Sequence, residues 1–332
     1  MHAFRVATDG KFAIDGLPVS RKVEGLMHPK HSHLFYNAFY AVVFIVIAAI
    51  LLRPARSQSQ ENAANGKPRL VLLLVIDGFR ADRLTKFDDL FGDGGFKLLM
   101  ERGAWFTNAH YGHATTYTAT GHATIPTGSY ASRNGMVSND WHDKAKKSRV
   151  YCCEDDTAQY LGEPTKKHGG TSPRNLLSTT VGDELRMSNH LRSKSIAVSL
   201  KDRGAILLGG KLGQAYWWSS ATGRFITTTK YAQDYPAWVK RFNDARPADK
   251  YFGKGWIRLL PESDYSRSAR DDRPYEVDML GNGRAFPHHI TGKLDKPGSD
   301  FYEALEWTPF ADEITLEFAK AAVTNEQLGR RG

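Results

Sequence analysis

The chain has 332 residues, 41% of them hydrophobic and 24% charged. These globular values exclude a disordered or collagen-like chain, and the length suits one large α/β domain or two smaller ones. Its only cysteines, Cys152 and Cys153, are adjacent, which argues against a disulfide framework or a cysteine-based zinc site. The net charge of +9 suits nucleic acid, an anionic membrane face or a small anionic substrate, and composition does not choose among them.

Residues 1–33 read as an N-terminal tail, of which 1–26 carry no strong pattern, and Met27 offers an alternative start for a short basic n-region. Residues 34–52 (LFYNAFYAVVFIVIAAILL) form an apolar run interrupted only by Asn37, long enough for a membrane span or the core of a signal peptide. A buried helix of a soluble domain is the poorer reading, because the run is apolar all round and lies between polar tails. Ala55 and Ser57 then give the small-x-small spacing that a signal peptidase reads. The expectation is export, either to the periplasm or as an anchor on the outer face of the inner membrane. Residues 53–68 are polar, with Pro, Gly and Asn, and read as a linker; the folded domain is expected over 69–332.

Residues 69–76 (RLVLLLVI) are continuously apolar and end at Asp77-Gly78, the pattern of a central parallel strand buried on both faces. Residues 96–102 read as a helix stopped by Gly103, and 105–109 as a short strand. Ser172-Pro173 reads as a helix start, followed by Leu176, Leu177, Val181 and Leu185 at helical spacing. Residues 195–200 (SIAVSL) form a second buried strand, ending at Lys201-Asp202-Arg203. Pro309 precedes a helix with Ile314, Phe318, Ala322 and Val323 on one stripe, stopped by Gly329. The stretch 209–307 is rich in tryptophan and tyrosine and reads as a locally packed insertion with few regular elements. Strands alternating with helices predict an α/β fold with a mostly parallel sheet flanked by helices. Ligands of such sheets sit beyond the carboxyl ends of the strands, where Asp77 and Lys201 fall.

Asp77 suits a turn or helix cap as well as a metal-ligating carboxylate. Residues 113–128 (HATTYTATGHATIPTG) hold six threonines, most of them best read as part of a capped helix start. One hydroxyl at that helix N-terminus would sit where anions are favoured and would become a nucleophile if a metal lowered its pKa. His113 and His122 lack a helical metal spacing and read as structural. Asn139-Asp140-Trp141 reads alone as a turn. Lys201 and Arg203, at i and i+2 directly after a strand, would point the same way and could clamp a phosphoryl group.

Taken in order, LVLLLVIDGFRADRL, FGDGGFKLLMERGAWFTNAHY, TYTATGHATIPTGS, NGMVSNDW, SPRNLLSTTVGDELR, SLKDRGAILLGG and TLEFAKAA closely resemble the bacterial threonine-nucleophile (PafA-like) alkaline phosphatases. The motifs run in family order from about residue 69 to the end. The resemblance implies an alkaline-phosphatase-like fold and a two-zinc site. In it Asp77 would ligate one zinc and Thr118 would be the metal-activated nucleophile. Asn139 would donate to a phosphoryl oxygen, and Lys201 and Arg203 would hold the transferred group. Such chemistry relies on positioning and cations more than on covalent assistance. Related type I phosphodiesterases and nucleotide pyrophosphatases also use a Thr and an Asn but lack the Lys-x-Arg clamp, so LKDRGA favours phosphate monoesters over diesters.

The sequence departs from that family in one respect. The remaining zinc ligands of its longer members come from a D-x-x-x-H motif, a D-H pair and a further His, and no Asp here is followed by His at either spacing. His288-His289 does not substitute for them. The expectation is therefore an N-terminal portion of a phosphatase, incomplete at the C-terminus, with little zinc binding, impaired activity and exposed apolar faces. A non-catalytic module that holds phosphate esters through Asn139, Lys201 and Arg203 is the rival from another class. Nucleic acid is disfavoured, because the basic residues are dispersed and no recognised module is present.

Overall fold

The computed structural model describes residues 68–165 and 169–330. The chain divides into two units, Met1–Lys67 and Pro68–Gly332. The tail 1–33, the apolar run 34–52 and the linker up to residue 67 lie outside the described residues. Among the described residues no helix is long and apolar enough to cross a membrane.

In chain order the elements are α1 (Asp82–Lys86), α2 (Phe96–Arg102), α3 (Thr118–Thr127), α4 (Ala131–Asn134), β1 (Asp140–Asp143), β2 (Ser148–Tyr151), β3 (Tyr160–Leu161) and α5 (Val181–Ser188). They continue with β4 (Ile196–Ser199), α6 (Asp202–Gly209), β5 (Gln214–Ser219), β6 (Arg224–Thr228) and α7 (Ala237–Asp244). Last come β7 (Gly255–Trp256), β8 (His288–His289), α8 (Ser299–Leu305) and α9 (Pro309–Asn325). The main sheet has four strands in the order β3-β6-β5-β4. β4 and β5 are parallel, joined through α6, while β5/β6 and β3/β6 are antiparallel. β1 and β2 form a separate hairpin, with Asp140 opposite Tyr151.

Side chains of β5 alternate across the sheet, as the two-residue period of a strand requires. Ala215 and Trp217 join Ala119 and Ala123 of α3 and Ala205, Ile206 and Leu207 of α6 in one core. Tyr216 and Trp218 join Phe225, Phe301, Ile314 and Phe318 in the other. Phe318 is fully buried and lies 4.2 Å from Phe225 and 5.0 Å from both Trp238 and Phe242, centroid to centroid. It reaches them because Ile314, Phe318 and Ala322 recur every four residues along α9. Thr308 precedes that helix and Pro309 opens it, where its missing N–H needs no intrahelical partner.

α5 begins with a capping box in which Thr180 and Asp183 bond each other's backbone N–H. The Asp183 carboxylate, fully buried, also accepts from the N–H groups of Lys211 (2.9 Å) and Leu212 (2.7 Å) beyond the end of α6. Gly210 ends α6 at φ 68°, and a Cβ there would lie 2.5 Å from Asp183 Oδ2, so the residue must be glycine on both counts.

Several expectations need correction. Only one strand pair, β4/β5, is parallel among the described residues, so the sheet is mixed rather than mostly parallel. Residues 69–76 form no strand: nothing described pairs with them, and Val71 and Leu72 are 76% and 79% exposed. A run of apolar residues specifies a strand only when neighbours supply its ladder. Residues 105–109 are likewise outside any strand, with Phe106 79% exposed. Ser172-Pro173 opens a turn, because Ser172 Oγ donates to Asp155 (2.5 Å) and accepts from Arg174 N–H (3.1 Å); the helix starts at Val181. Only Leu176 of the predicted stripe is buried, while Leu177, Val181 and Leu185 are exposed. The last helix ends at Asn325, before Gly329. The stretch 209–307 is no separately packed insertion, since it supplies β5 and β6 to the main sheet and much of the larger core.

Candidate active site

α3 and α6 pack together through small residues, Ala119 and Ala123 against Ala205 and its neighbours. Gly204 belongs to this contact: a Cβ there would lie 2.4 Å from Ser199 Oγ and 3.7 Å from His122 Nε2. Asp77 links the starts of the two helices. Its Oδ2 accepts from Thr118 Oγ1 at 2.9 Å and from Lys201 Nζ at 3.3 Å. Thr118 is the first residue of α3, which has no side-chain cap of its own. Asn139 supplies one from outside, its Oδ1 accepting from the Ala119 N–H at 3.0 Å. That bond assigns the amide oxygen to the helix and leaves the NH2 group to donate elsewhere.

Lys201 immediately precedes α6 and Arg203 is its second residue. The helix starts at Asp202, so the strand alternation expected of Lys201 and Arg203 does not apply. Lys201 turns to Asp77, while Arg203 Nη1 donates to the Tyr151 hydroxyl at 3.4 Å. Tyr151 in turn donates to Asp202 Oδ1 at 2.6 Å, and Arg203 N–H donates to the same oxygen at 2.7 Å. Thr118, Asn139, Lys201, Arg203 and Asp77 are thus tied into two adjoining hydrogen-bonded groups. Tyr151 and Asp202 complete the second group. Neither Tyr151 nor Asp202 is among the residues that the sequence motifs single out.

The charges respond to this arrangement. Burial alone would raise the Asp77 pKa, but the Thr118 hydroxyl and the Lys201 ammonium outweigh it and hold the carboxyl below its ordinary value. Burial depresses His122, with the cations Lys201 and Arg203 adding to the effect. Its Nδ1 donates to the Thr118 carbonyl at 2.9 Å, a bond within α3. Burial, and then the charge of Asp202, push the Tyr151 phenol well up. Burial also raises Asp202, despite the bond from Tyr151. His113 packs against Tyr111 and Tyr130, with ring centroids 5.2 and 5.4 Å away.

The donor set for zinc can be counted directly. Asp77 Oδ2 and Thr118 Oγ1 are two oxygens at one place, and no group of three or more His, Cys, Asp or Glu side chains gathers among the described residues. A closed zinc site takes about four protein donors. The described residues therefore do not fit the two-zinc centre that the resemblance implies. His288 and His289 lie on β8, with His288 Nδ1 bonded to the Asn282 carbonyl at 3.1 Å.

The family described as type I phosphodiesterase / nucleotide pyrophosphatase matches residues 71–295. Alkaline phosphatase PhoV of Synechococcus elongatus is 42% identical over 268 residues, covering 80% of this chain and 48% of that protein. Alkaline phosphatase PafA of Elizabethkingia meningoseptica is 38% identical over 278 residues, covering 82% and 50%. The crystal structure of wild-type PafA matches with a TM-score of 0.75 at 38% identity, over 81% of this chain and 51% of that one. This chain spans about half the length of the relatives it matches. It belongs to the type I phosphodiesterase / nucleotide pyrophosphatase family and, within it, is similar to the PafA- and PhoV-type alkaline phosphatases.

Proposed function

We propose that this chain carries the phosphoryl-binding half of a phosphate-monoester hydrolase, with Thr118 as nucleophile. The observation that carries this reading is the convergence of Asp77, Thr118 and Lys201 at the start of α3. The Thr118 hydrogen is directed to Asp77, which leaves the oxygen lone pairs free to face a phosphorus atom. As the Oγ–P bond forms, the hydroxyl proton is given up along its bond to Asp77 Oδ2 and the bond from phosphorus to the leaving oxygen breaks, its electron pair going with that oxygen; water then cleaves the Oγ–P bond and releases phosphate. Negative charge on the transferred group meets Lys201, Arg203, the Asn139 NH2 and the α3 N-terminus. Two cations suit the dianionic end of a monoester better than a diester, which offers one charged oxygen fewer. The family implies metal dependence, and a metal pair would supply Lewis-acid activation. The described donors do not complete such a site, so this chain by itself is expected to turn over little or no ester.

A second reading has its own support. The cations and Asn139 need no zinc to hold a phosphate ester, so the chain could bind without hydrolysing. The two readings separate in one assay of a chromogenic monoester and the matching diester at alkaline pH with zinc. It compares this chain, its Thr118→Ala variant and the chain extended through any continuous downstream coding sequence. Hydrolysis by the extended protein alone, favouring the monoester and lost with Thr118→Ala, supports the first. Ester binding that survives both a chelator and Thr118→Ala, with no turnover by any form, supports the second. Robust zinc-dependent turnover by the 332-residue chain refutes the donor count. Export to the periplasm or the outer face of the inner membrane belongs to the same proposal; it rests on the apolar residues 34–52, and cell fractionation tests it.

A further inference from the structure

We propose that Tyr151 and Asp202 are positioning residues that hold the Arg203 guanidinium ready for a phosphoryl group; this rests on the phosphate-ester reading of the site. Tyr151 has one hydroxyl hydrogen, and it goes to Asp202 Oδ1 at 2.6 Å. The phenol oxygen is therefore free to accept, and Arg203 Nη1 donates to it at 3.4 Å. Asp202 also fixes the start of α6 by accepting the Arg203 N–H at 2.7 Å. The backbone and one prong of Arg203 are thus both referred to a single carboxylate oxygen, directly and through the phenol.

The rest of the guanidinium is left for a ligand. Arg203 Nε is buried and has no partner among the described residues, an unfavourable state for a donor unless something arrives to accept from it. A planar guanidinium held on one edge presents its other donors in a fixed direction, so less side-chain entropy is lost when an anion binds.

Tyr151 is itself held firmly. Its N–H donates to Glu154 Oε2 at 2.8 Å. It closes β2 opposite Asp140, and the next residue, Cys152, donates its N–H to the Asn139 carbonyl at 2.9 Å. The β1–β2 hairpin therefore joins the Asn139 amide and the Tyr151 phenol in one rigid piece. One ligand-facing group, Asn139, and the support of another, Arg203, keep a common spacing.

The test uses the full chain labelled with 15N. Inorganic phosphate is titrated by calorimetry, and the Arg203 side-chain N–H signals, assigned with Arg203→Lys, are followed by NMR. Tyr151→Phe keeps the ring and removes the hydroxyl. It is expected to weaken phosphate binding about five- to tenfold, roughly the worth of one net hydrogen bond, and to speed guanidinium rotation in the free protein. In an Arg203→Ala background the same change is expected to cost less than about twofold, because the coupling partner is gone. Asp202→Asn, which keeps an acceptor for both donors, is expected to bind better than Asp202→Ala. If Arg203→Ala weakens binding and Tyr151→Phe does not, the positioning role is refuted while the reading of the site stands. An equal loss from Tyr151→Phe in both backgrounds also refutes it, since Tyr151 then acts without Arg203. If the parent and Arg203→Ala bind phosphate alike, the reading of the site falls and this proposal falls with it. Should Tyr151→Phe lose its near-UV circular dichroism, the two Asp202 variants decide by the same criteria.

Discussion

Replacing Asp183 with alanine strips three backbone N–H groups, the buried one of Thr180 and the half-buried ones of Lys211 and Leu212, of their shared acceptor. A buried donor left unpaired costs about 1–3 kcal/mol. With water offsetting part of that in the vacated space, the expected loss of stability is about 3–5 kcal/mol. Asp183→Asn keeps one oxygen and sets an NH2 group against the remaining donor, so its expected loss is about 1–3 kcal/mol. Urea unfolding followed by tryptophan fluorescence measures both, because Trp217 and Trp218 are buried on β5 just beyond the Asp183 contacts. The expected order is parent, then Asn, then Ala. The consequence reaches the site, since α6 is fastened to Asp183 at one end and carries Lys201 and Arg203 at the other. An Asn variant as damaged as the Ala variant, or an Ala variant within about 0.5 kcal/mol of the parent, would show that these N–H groups find other partners.

Three further outcomes are expected. Phe318→Ala removes the ring at the centre of the larger core and should cost about 3–5 kcal/mol, with loss of near-UV circular dichroism. Burial, with the neighbouring Glu303 adding, pushes the Glu306 carboxyl up from 4.5 to about 7. The folded state then holds a proton that the unfolded state releases, so this contribution to stability is complete below about pH 4.5 and declines as the pH rises towards 7. Glu306→Gln should flatten the pH dependence of the urea midpoint across that window. Leu72→Lys and Phe106→Lys place charge on exposed apolar surface and should lower light scattering at a given concentration without lowering the unfolding midpoint.

How much of this was legible depended on the range of the interactions. α2 and α9 could be read because their signals are local: a glycine stop, a proline start and apolar residues four apart. β4 was legible as an apolar run that finds a partner in β5. The run at 69–76 has the same local character but finds no partner among the described residues, and no local pattern states whether a ladder will be there. Ser172 shows the opposite difficulty: a residue suited to capping a helix spends its hydroxyl on Asp155 and a turn. The candidate site could be proposed from a succession of motifs, and Asp77, Thr118 and Lys201 lie within hydrogen-bonding distance of one another's partners, with their roles left to experiment. Tyr151 was not legible, because its partners lie 51 and 52 residues away and nothing in its own surroundings announces them. The zinc expectation came from resemblance alone, and the described donors do not complete it.

The unpaired stretch before Asp77 divides the site into parts of unequal preparation. Thr118, Lys201 and Arg203 ride on helices whose faces are packed, and Asn139 on a hairpin. Their geometry is settled during folding. Asp77 follows a segment without a ladder, and among the described residues its carboxylate is held by two side-chain bonds, from Thr118 and from Lys201. On the phosphate-ester reading, an arriving anion would compete with Asp77 for that ammonium and leave the Thr118 bond as the other tie on the carboxylate. The entropy of fixing one group would then be deferred in part from folding to binding. A contact that gave residues 70–76 a neighbouring strand would shift that cost back to folding, and would strengthen the site without touching any residue in it.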